Sequence, residues 1–295
     1  MSFITLDDNI FLRLRGIRNS LTPVERTIEE YVFANKDQIP HLSVKGLAQK
    51  SHTSDASVLR FCKTLGYRGY RDFIVAVSAA LGSADKTESE YTDIQPGDDL
   101  QTIITNVSRN NRKSIEDTMS VIDRDAIGRA VELLRKASRI DFYGIGASGL
   151  VCMDAQQKFT RIGKTCFAYT DGHSQLTAAS ILKSGDVAVL ISNSGDTLDI
   201  LNTLEVAKES KATIIAITRY VKSELANEAD LVLNFSTPEI TIRSGAMGSR
   251  IAMLNIVDIL FTGVASANYK NVKALLTKTH NVLAGKHKHL NWDKG

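Results

Sequence analysis

The sequence predicts an all-α N-terminal domain joined to an α/β domain, doubly wound around a five-stranded parallel sheet. Three observations predict it. Residues 1–81 carry a helical periodicity throughout. From residue 140 onward, short β-branched runs alternate with helical patterns, as crossover helices between parallel strands require. Within that second region, Val187-Ala188-Val189-Leu190-Ile191 is apolar at every position, so it reads as a strand buried on both faces.

Bulk numbers set the frame. At 295 residues, 43% hydrophobic and 23% charged, the chain has an ordinary soluble composition and room for two domains. The net charge of +3 argues for little, but its distribution is uneven. Residues 1–81 hold 11 Lys and Arg against 8 Asp and Glu, whereas residues 82–98 hold one Lys against five acids. Cys62, Cys152 and Cys166 lack ligand-like spacing and suit a reducing compartment. Asp7, Asp8, Arg13 and Arg15 interrupt the first apolar run, so no signal peptide is expected. Asn255 and Asp258 interrupt the longest apolar segment, residues 251–267, which reads as a buried core helix and not a membrane span. The expected location is the cytoplasm.

Taken in order, Ile10, Leu12, Leu14 and Ile17 mark a first helix. Thr22-Pro23-Val24-Glu25 is a capping box with proline at the first helical position, and Val24, Ile28, Tyr31 and Val32 are expected inward. Pro40 ends that unit. Ser43 caps a third helix, residues 44–50, and the break Ser51-His52-Thr53-Ser54 leads to a fourth, residues 55–65. Val58, Phe61, Cys62 and Leu65 form its buried stripe, leaving Ala56, Ser57, Arg60, Lys63 and Thr64 outward. Two short helices with a tight turn, the second showing small polar and basic residues, match a helix-turn-helix. Arg60 is suited to guanine and Lys63 to phosphate, with Thr53, Ser54 and Ser57 near the helix start. A plain helical bundle with a solvated polar face accounts for the periodicity equally well. After it, Tyr67, Tyr70 and Phe73 are expected to pack, with Arg68 and Arg71 as backbone contacts.

An acidic linker is expected at 82–98, then helices through Leu100, Ile103, Ile104, Val107, Ile115, Met119 and Ile122, and through Ala126 to Leu134. These helices are candidates to pack on the sheet or on a second subunit. Strands are expected at 140–143, 165–169, 187–191, 213–218 and 231–235, and the domain as a whole at 99–285, with a tail at 286–295. If the strand order is 2-1-3-4-5, the ligand crevice lies between strands one and three.

Those two strands feed the loops Gly144-Ile145-Gly146-Ala147-Ser148-Gly149 and Ser192-Asn193-Ser194-Gly195-Asp196-Thr197. A hydroxyl- and glycine-rich turn into a helix start is an anion site: the first N–H groups lack partners, and glycine lets the backbone approach. The hydroxyls of Ser148, Ser192, Ser194 and Thr197 can donate to phosphate oxygens. Without a lysine the loop does not match an NTPase P-loop. A dinucleotide reading, with Asp171 as its acid, stays open but lacks the last glycine of G-x-G-x-x-G.

The loops, with Asp171-Gly172-His173 between them, resemble a sugar isomerase (SIS) domain. Val58-Leu59-Arg60-Phe61-Cys62-Lys63 and Leu65-Gly66-Tyr67-Arg68-Gly69-Tyr70-Arg71-Asp72-Phe73 resemble the RpiR family of bacterial transcription regulators. That resemblance spans residues 5–285. It implies a homodimer or homotetramer that binds operator DNA through its first domain and a sugar phosphate through its second. The implied effector positions are Gly146, Ser148, Ser192, Asn193, Ser194, Gly195 and Thr197 for phosphate, and His173 and Glu239 for the sugar, with Arg243 a weaker candidate. The implied DNA contacts are Thr53, Ser54, Ser57, Arg60, Lys63 and Arg68. An aldose–ketose isomerase is the competing class, with Glu239 and His173 as its acid–base pair. A complete DNA-binding domain argues for the regulator. Lys286-His287-Lys288-His289 reads as a solvated end, and no metal or cofactor is expected.

Overall fold

The computed structural model describes residues 10–18, 21–82, 97–238 and 245–284. Glu239, Arg243, the tail from Lys286 and nearly all of the expected linker lie outside the described residues. The chain divides into two compact units, one of Met1–Val121, Arg219–Lys222 and Ser236–Gly248, the other of Ile122–Thr218, Ser223–Phe235 and Ser249–Gly295.

In the first unit, α1 (Ile10–Ile17), α2 (Pro23–Ala34), α3 (Val44–Lys50), α4 (Asp55–Thr64) and α5 (Tyr70–Gly82) surround one apolar core. Ile28, Leu47, Val58, Phe61 and Phe73 are fully buried there, and the Phe61 and Phe73 rings meet edge to face with centroids 5.9 Å apart. The capping box forms as expected: Glu25 N–H donates to Thr22 Oγ1 at 3.4 Å and Thr22 N–H to Glu25 Oε2 at 3.0 Å. Val24, expected inward, is instead exposed. The turn set by Pro23 rotates Glu25, Ile28, Glu29 and Val32 onto the buried stripe. Glu25 is satisfied there by Thr64 Oγ1, which donates at 2.6 Å. Burial pushes the Glu29 carboxyl up, and Arg18 stands 3.5 Å from it. Pro40 lies in a 3-10 turn, Lys36–His41, which carries the chain from α2 to α3.

The same unit holds α6 (Leu100–Val121). Its C-terminal half buries Ser114 and Thr118, and the Thr118 hydroxyl donates to Ser236 O at 2.9 Å and accepts from Ser236 N–H at 3.2 Å. At the other end, Leu100, Ile103 and Ile104 stay exposed.

The second unit runs α7 (Arg124–Lys136), β1 (Ile140–Gly144), α8 (Ala147–Arg161), β2 (Cys166–Tyr169), α9 (Gly172–Ala179), β3 (Val187–Ser192), α10 (Leu198–Glu209), β4 (Thr213–Arg219), α11 (Glu224–Glu228), β5 (Leu231–Phe235), α12 (Met247–Ala267) and α13 (Tyr269–Ala284). The strand order is β2-β1-β3-β4-β5, which meets the condition set for a crevice between β1 and β3, with Gly144 level with Ile191 and Ser192 level with Thr218. Every residue of β1 and β3 is buried, which is why β3 is apolar without alternation. Side chains of α7, α8 and α12 cover one face, and those of α9, α10 and α11 the other. The α12 core residues Ala252, Met253, Ile256, Val257, Leu260 and Val264 face the sheet, while Asp258 turns outward to Lys158 at 2.6 Å. The short helix α11 had no counterpart in the sequence reading.

A charged pair sits inside this sheet. Asp141 is 0% exposed and accepts from Arg139 Nε and Nη2, both at 2.8 Å, and from the Tyr143 hydroxyl at 2.9 Å. Arg139 also donates to the Tyr169 hydroxyl at 3.2 Å, and the Tyr143 and Tyr169 rings stack at 5.6 Å. Burial pushes the Asp141 carboxyl up, against the opposing pull of Arg139 and Tyr143.

Candidate functional site

Strand order reverses between β1 and β3, because β1 leads through α8 to one neighbour and β3 lies on its other side. The two glycine- and serine-rich loops leave the sheet at that point. What distinguishes their helices is the state of the first turn. Side-chain oxygens cap α2, α3, α4, α7, α9 and α11 from Thr22, Ser43, Ser54, Asp123, Asp171 and Ser223. At α8 and α10 the cap positions are Gly146 and Thr197, and neither supplies a side-chain cap bond. The two helix starts that face the switch point therefore keep the dipole end that attracts an anion.

The second loop gathers the predicted hydroxyls. Ser192 Oγ lies 3.2 Å from Thr197 Oγ1, and Ser194 Oγ lies 3.4 Å from the same atom. Gly195 N–H donates to Ser192 Oγ at 3.1 Å and Asp196 N–H to Ser194 Oγ at 3.3 Å. Ser192 is only 3% exposed, so its hydroxyl lines the floor of the loop and Ser194 stands nearer the opening. Asn193 Oδ1 is buried without a hydrogen-bond partner among the described residues. Gly195 has φ +75°, and a Cβ there would reach 2.5 Å from Ser223 Cβ and 3.0 Å from Thr218 Oγ1. Glycine is required on both counts.

The first loop differs from the sequence expectation in one respect. Ser148 lies in the first turn of α8, is 8% exposed and directs its hydroxyl to Met253 Sδ at 3.8 Å. Gly146, with φ +60°, has open space where a Cβ would stand, as a backbone approached by a ligand needs. Gly144 and Gly149 serve packing instead: a Cβ at Gly144 would lie 2.8 Å from Ser148 C and Cys152 Sγ, and one at Gly149 would lie 3.0 Å from Thr170 Cγ2. His173 is exposed in the first turn of α9, where Asp171 accepts from Ser174 N–H at 2.9 Å. That bond holds the Asp171 carboxyl below its usual range and gives the residue a capping role.

Two features escaped the sequence reading. Gln175 is fully buried, and its Nε2 donates to Gly144 O at 3.2 Å and Tyr169 O at 3.0 Å while its Oε1 accepts from Thr203 at 3.2 Å. One amide thus ties the ends of β1 and β2 to α10. Helix α11 is pinned to the second loop, with Leu225 N–H donating to Gly195 O at 3.1 Å and Glu224 N–H to Asp196 Oδ1 at 2.9 Å. A glutamine between Ser174 and Leu176 has no spacing signal that marks it as buried, and both α11 bonds join residues about thirty apart in sequence.

In the first unit, α3 and α4 meet through the turn 51–54. Arg60 and Lys63 are exposed on α4, as expected. Ser57 is not: it is 9% exposed, with its hydroxyl 2.9 Å from that of Ser54. Ser54 caps α4 by accepting from Ser57 N–H, and Ser57, four residues before Phe61, sits beside the buried stripe. Thr64 is exposed, as expected, while its hydroxyl donates to Glu25. Thr53 Oγ1 lies 3.0 Å from Ser51 Oγ. Arg68 projects into solvent from an ion pair with Asp72 at 2.8 Å, and the aromatic residues Tyr67 and Phe73 pack beneath. Arg13 donates to Leu65 O at 2.8 Å and fixes the end of α4.

Residues 9–84 match the helix-turn-helix domain model of the rpiR family, and residues 133–263 match the SIS domain model. An uncharacterized HTH-type transcriptional regulator of Caldanaerobacter subterraneus subsp. tengcongensis is 41% identical over 271 residues, 92% of this chain and 95% of that protein. The uncharacterized HTH-type regulator YbbH of Bacillus subtilis is 35% identical over 267 residues, 90% and 94% of the two chains. Among solved structures, Vibrio vulnificus NanR complexed with ManNAc-6P aligns at 27% identity and a TM-score of 0.61, over 95% of this chain and 100% of that one.

Proposed function

The chain belongs to the rpiR family of helix-turn-helix regulators with a SIS domain, and from that premise we propose that a sugar phosphate bound between the starts of α8 and α10 controls its affinity for operator DNA. The observation that carries the effector half is the pair of uncapped helix starts at the switch point, with the hydroxyls of Ser192, Ser194 and Thr197 gathered at one of them. Backbone N–H groups and these hydroxyls hold the phosphoryl group, with Asn193, Gly146 and Gly195 shaping the approach. Ser148 joins them by turning from Met253, and His173 and Glu239 meet the sugar. The protein acts as a cytoplasmic regulator without catalytic turnover. It works as a homodimer or homotetramer. The exposed apolar stripe of Leu100, Ile103 and Ile104 on α6 supports that assembly, since the same helix face is buried further along.

Only a difference in effector affinity between two arrangements of the assembly can change DNA binding. The effector therefore favours one spacing of the paired α4 helices. A thermal-shift screen of the purified chain against phosphorylated sugars tests the reading, because a ligand of the native state raises its melting temperature. Conversion of any of them to a product would overturn it in favour of an isomerase.

Two substitutions divide the functions. Ser192→Ala removes a hydroxyl from the floor of the cradle, and effector response should vanish while operator binding persists. An unchanged effector titration in a band-shift assay would remove Ser192 from the site. Arg60→Ala should weaken operator binding by about 1–3 kcal/mol and relax the preference at one base pair. Equal losses on operator and random duplexes would make Arg60 a phosphate contact.

A further inference from the structure

His52 occupies a position where the backbone favours glycine. The last turn of α3 closes with Thr53 N–H donating to Ala48 O at 2.8 Å and His52 N–H to Gln49 O at 3.2 Å. These paired bonds are a Schellman stop, which requires left-handed backbone at the residue between helix and exit. His52 has φ +53°. A Cβ makes that conformation unfavourable, and glycine avoids the clash. Nor is the turn free to relax. Ser51 Oγ donates to Leu47 O at 2.7 Å and lies 3.0 Å from Thr53 Oγ1, while Ser54 caps the following helix.

Nothing within the fold repays the strain. The His52 side chain is exposed and makes no hydrogen bond, ion pair or ring contact among the described residues. The strain alone assigns no role, but the exposed imidazole is left available to a partner, and its place in the chain says which. The turn precedes Thr53 and Ser54, at the end of α4 that enters a groove in this motif. We propose that the His52 imidazole donates a hydrogen bond to a DNA backbone phosphate flanking the recognition helix. It is a positioning contact, independent of sequence. The proposal rests on the reading of α3 and α4 as the DNA-binding pair.

The chain contains its own control. Lys211 has φ +61° and ends α10 with the same pair of bonds, Lys211 N–H to Lys208 O at 3.0 Å and Ala212 N–H to Ala207 O at 3.3 Å. It lies in the sheet domain, away from the helix-turn-helix sequence. His52→Gly and Lys211→Gly should therefore both raise the melting temperature of the full-length chain, and only the first should alter DNA binding.

The probes are a duplex enriched by the wild-type chain from a random pool and a scrambled duplex of equal length. His52→Gly should weaken binding to both by a similar factor, about 3- to 10-fold, the worth of one hydrogen bond. His52→Asn tolerates left-handed backbone and keeps an N–H donor, so it should retain most of the affinity. Lys211→Gly should bind as wild type does. Wild-type affinity in His52→Gly, alongside its higher melting temperature, would overturn the proposal. A loss confined to the enriched duplex would overturn it too, by making His52 a reader of bases. Failure of the wild-type chain to enrich any duplex would instead remove the DNA reading, and this proposal with it.

Discussion

Gly195→Ala should destabilise the sheet domain by about 3 kcal/mol and abolish effector binding. Two effects add. The backbone at φ +75° costs a residue with a Cβ about 1–2 kcal/mol, and the new methyl would overlap the Ser223 side chain and press on Thr218, an overpacking of about 1–3 kcal/mol. Relief would require Ser223 to move. Ser223 caps α11, and α11 is bonded to Gly195 O and Asp196, so the strain falls on the loop proposed to hold the phosphate. Calorimetry of the full-length chain and a titration with the best sugar phosphate from the thermal screen check the two halves. Adding Ser223→Gly should recover the steric part, since glycine at a cap costs only a few tenths of a kcal/mol. A melting temperature within a degree of wild type in Gly195→Ala alone would show that the loop is free to shift, and would dissolve the link drawn here between α11 and the cradle.

Asp141→Ala carries the other large effect, an expected loss of about 3–5 kcal/mol. It leaves Arg139, only 20% exposed, without the carboxylate that takes two of its N–H groups, and it removes the acceptor of the buried Tyr143 hydroxyl. Taking the Asp141 carboxylate out of water outweighs its attraction to Arg139, which is why its carboxyl is pushed up. The pair is thus a poor source of stability but a costly thing to halve. Arg139→Met combined with Asp141→Leu should therefore be far less damaging than Asp141→Ala. Urea unfolding of the single and double variants decides it. If the double variant is as unstable as the single one, the pair contributes net stability.

The division between what could and could not be read in the sequence follows the range of the interactions. Elements set by local pattern were legible. The unbroken apolar run of β3, the capping box at Thr22 and the stripe of Val58, Phe61 and Cys62 each depend on residues within one or two turns. The strand order 2-1-3-4-5 entered the sequence reading only as a condition, and the structure meets it, with the two loops that look like anion sites following β1 and β3. Errors arose where a cap or a buried polar group overrode periodicity. Ser57 is expected outward as a small polar residue, but it is buried beside the apolar stripe, and its hydroxyl is used locally, 2.9 Å from that of Ser54 at the helix cap. Val24 was placed inward by its apolar character, although Glu25 and Glu29 hold the buried phase of α2. In the site itself, the convergence of Ser192, Ser194 and Thr197 is local and was read. The contribution of Gln175 depends on Gly144 and Thr203, each about thirty residues away, and periodicity carries no trace of it.

On the proposed reading, the cradle at the ends of β1 and β3 holds a phosphoryl group through hydroxyls and backbone dipoles, since neither residues 144–149 nor residues 192–197 include a lysine or arginine. Such a grip anchors any phosphomonoester about equally well and says nothing about the sugar attached to it. Discrimination among metabolites must then reside in the residues around the hydroxyl-bearing carbons. A lineage that keeps the anchor and edits only those surroundings can readdress one switch to a new nutrient without rebuilding it.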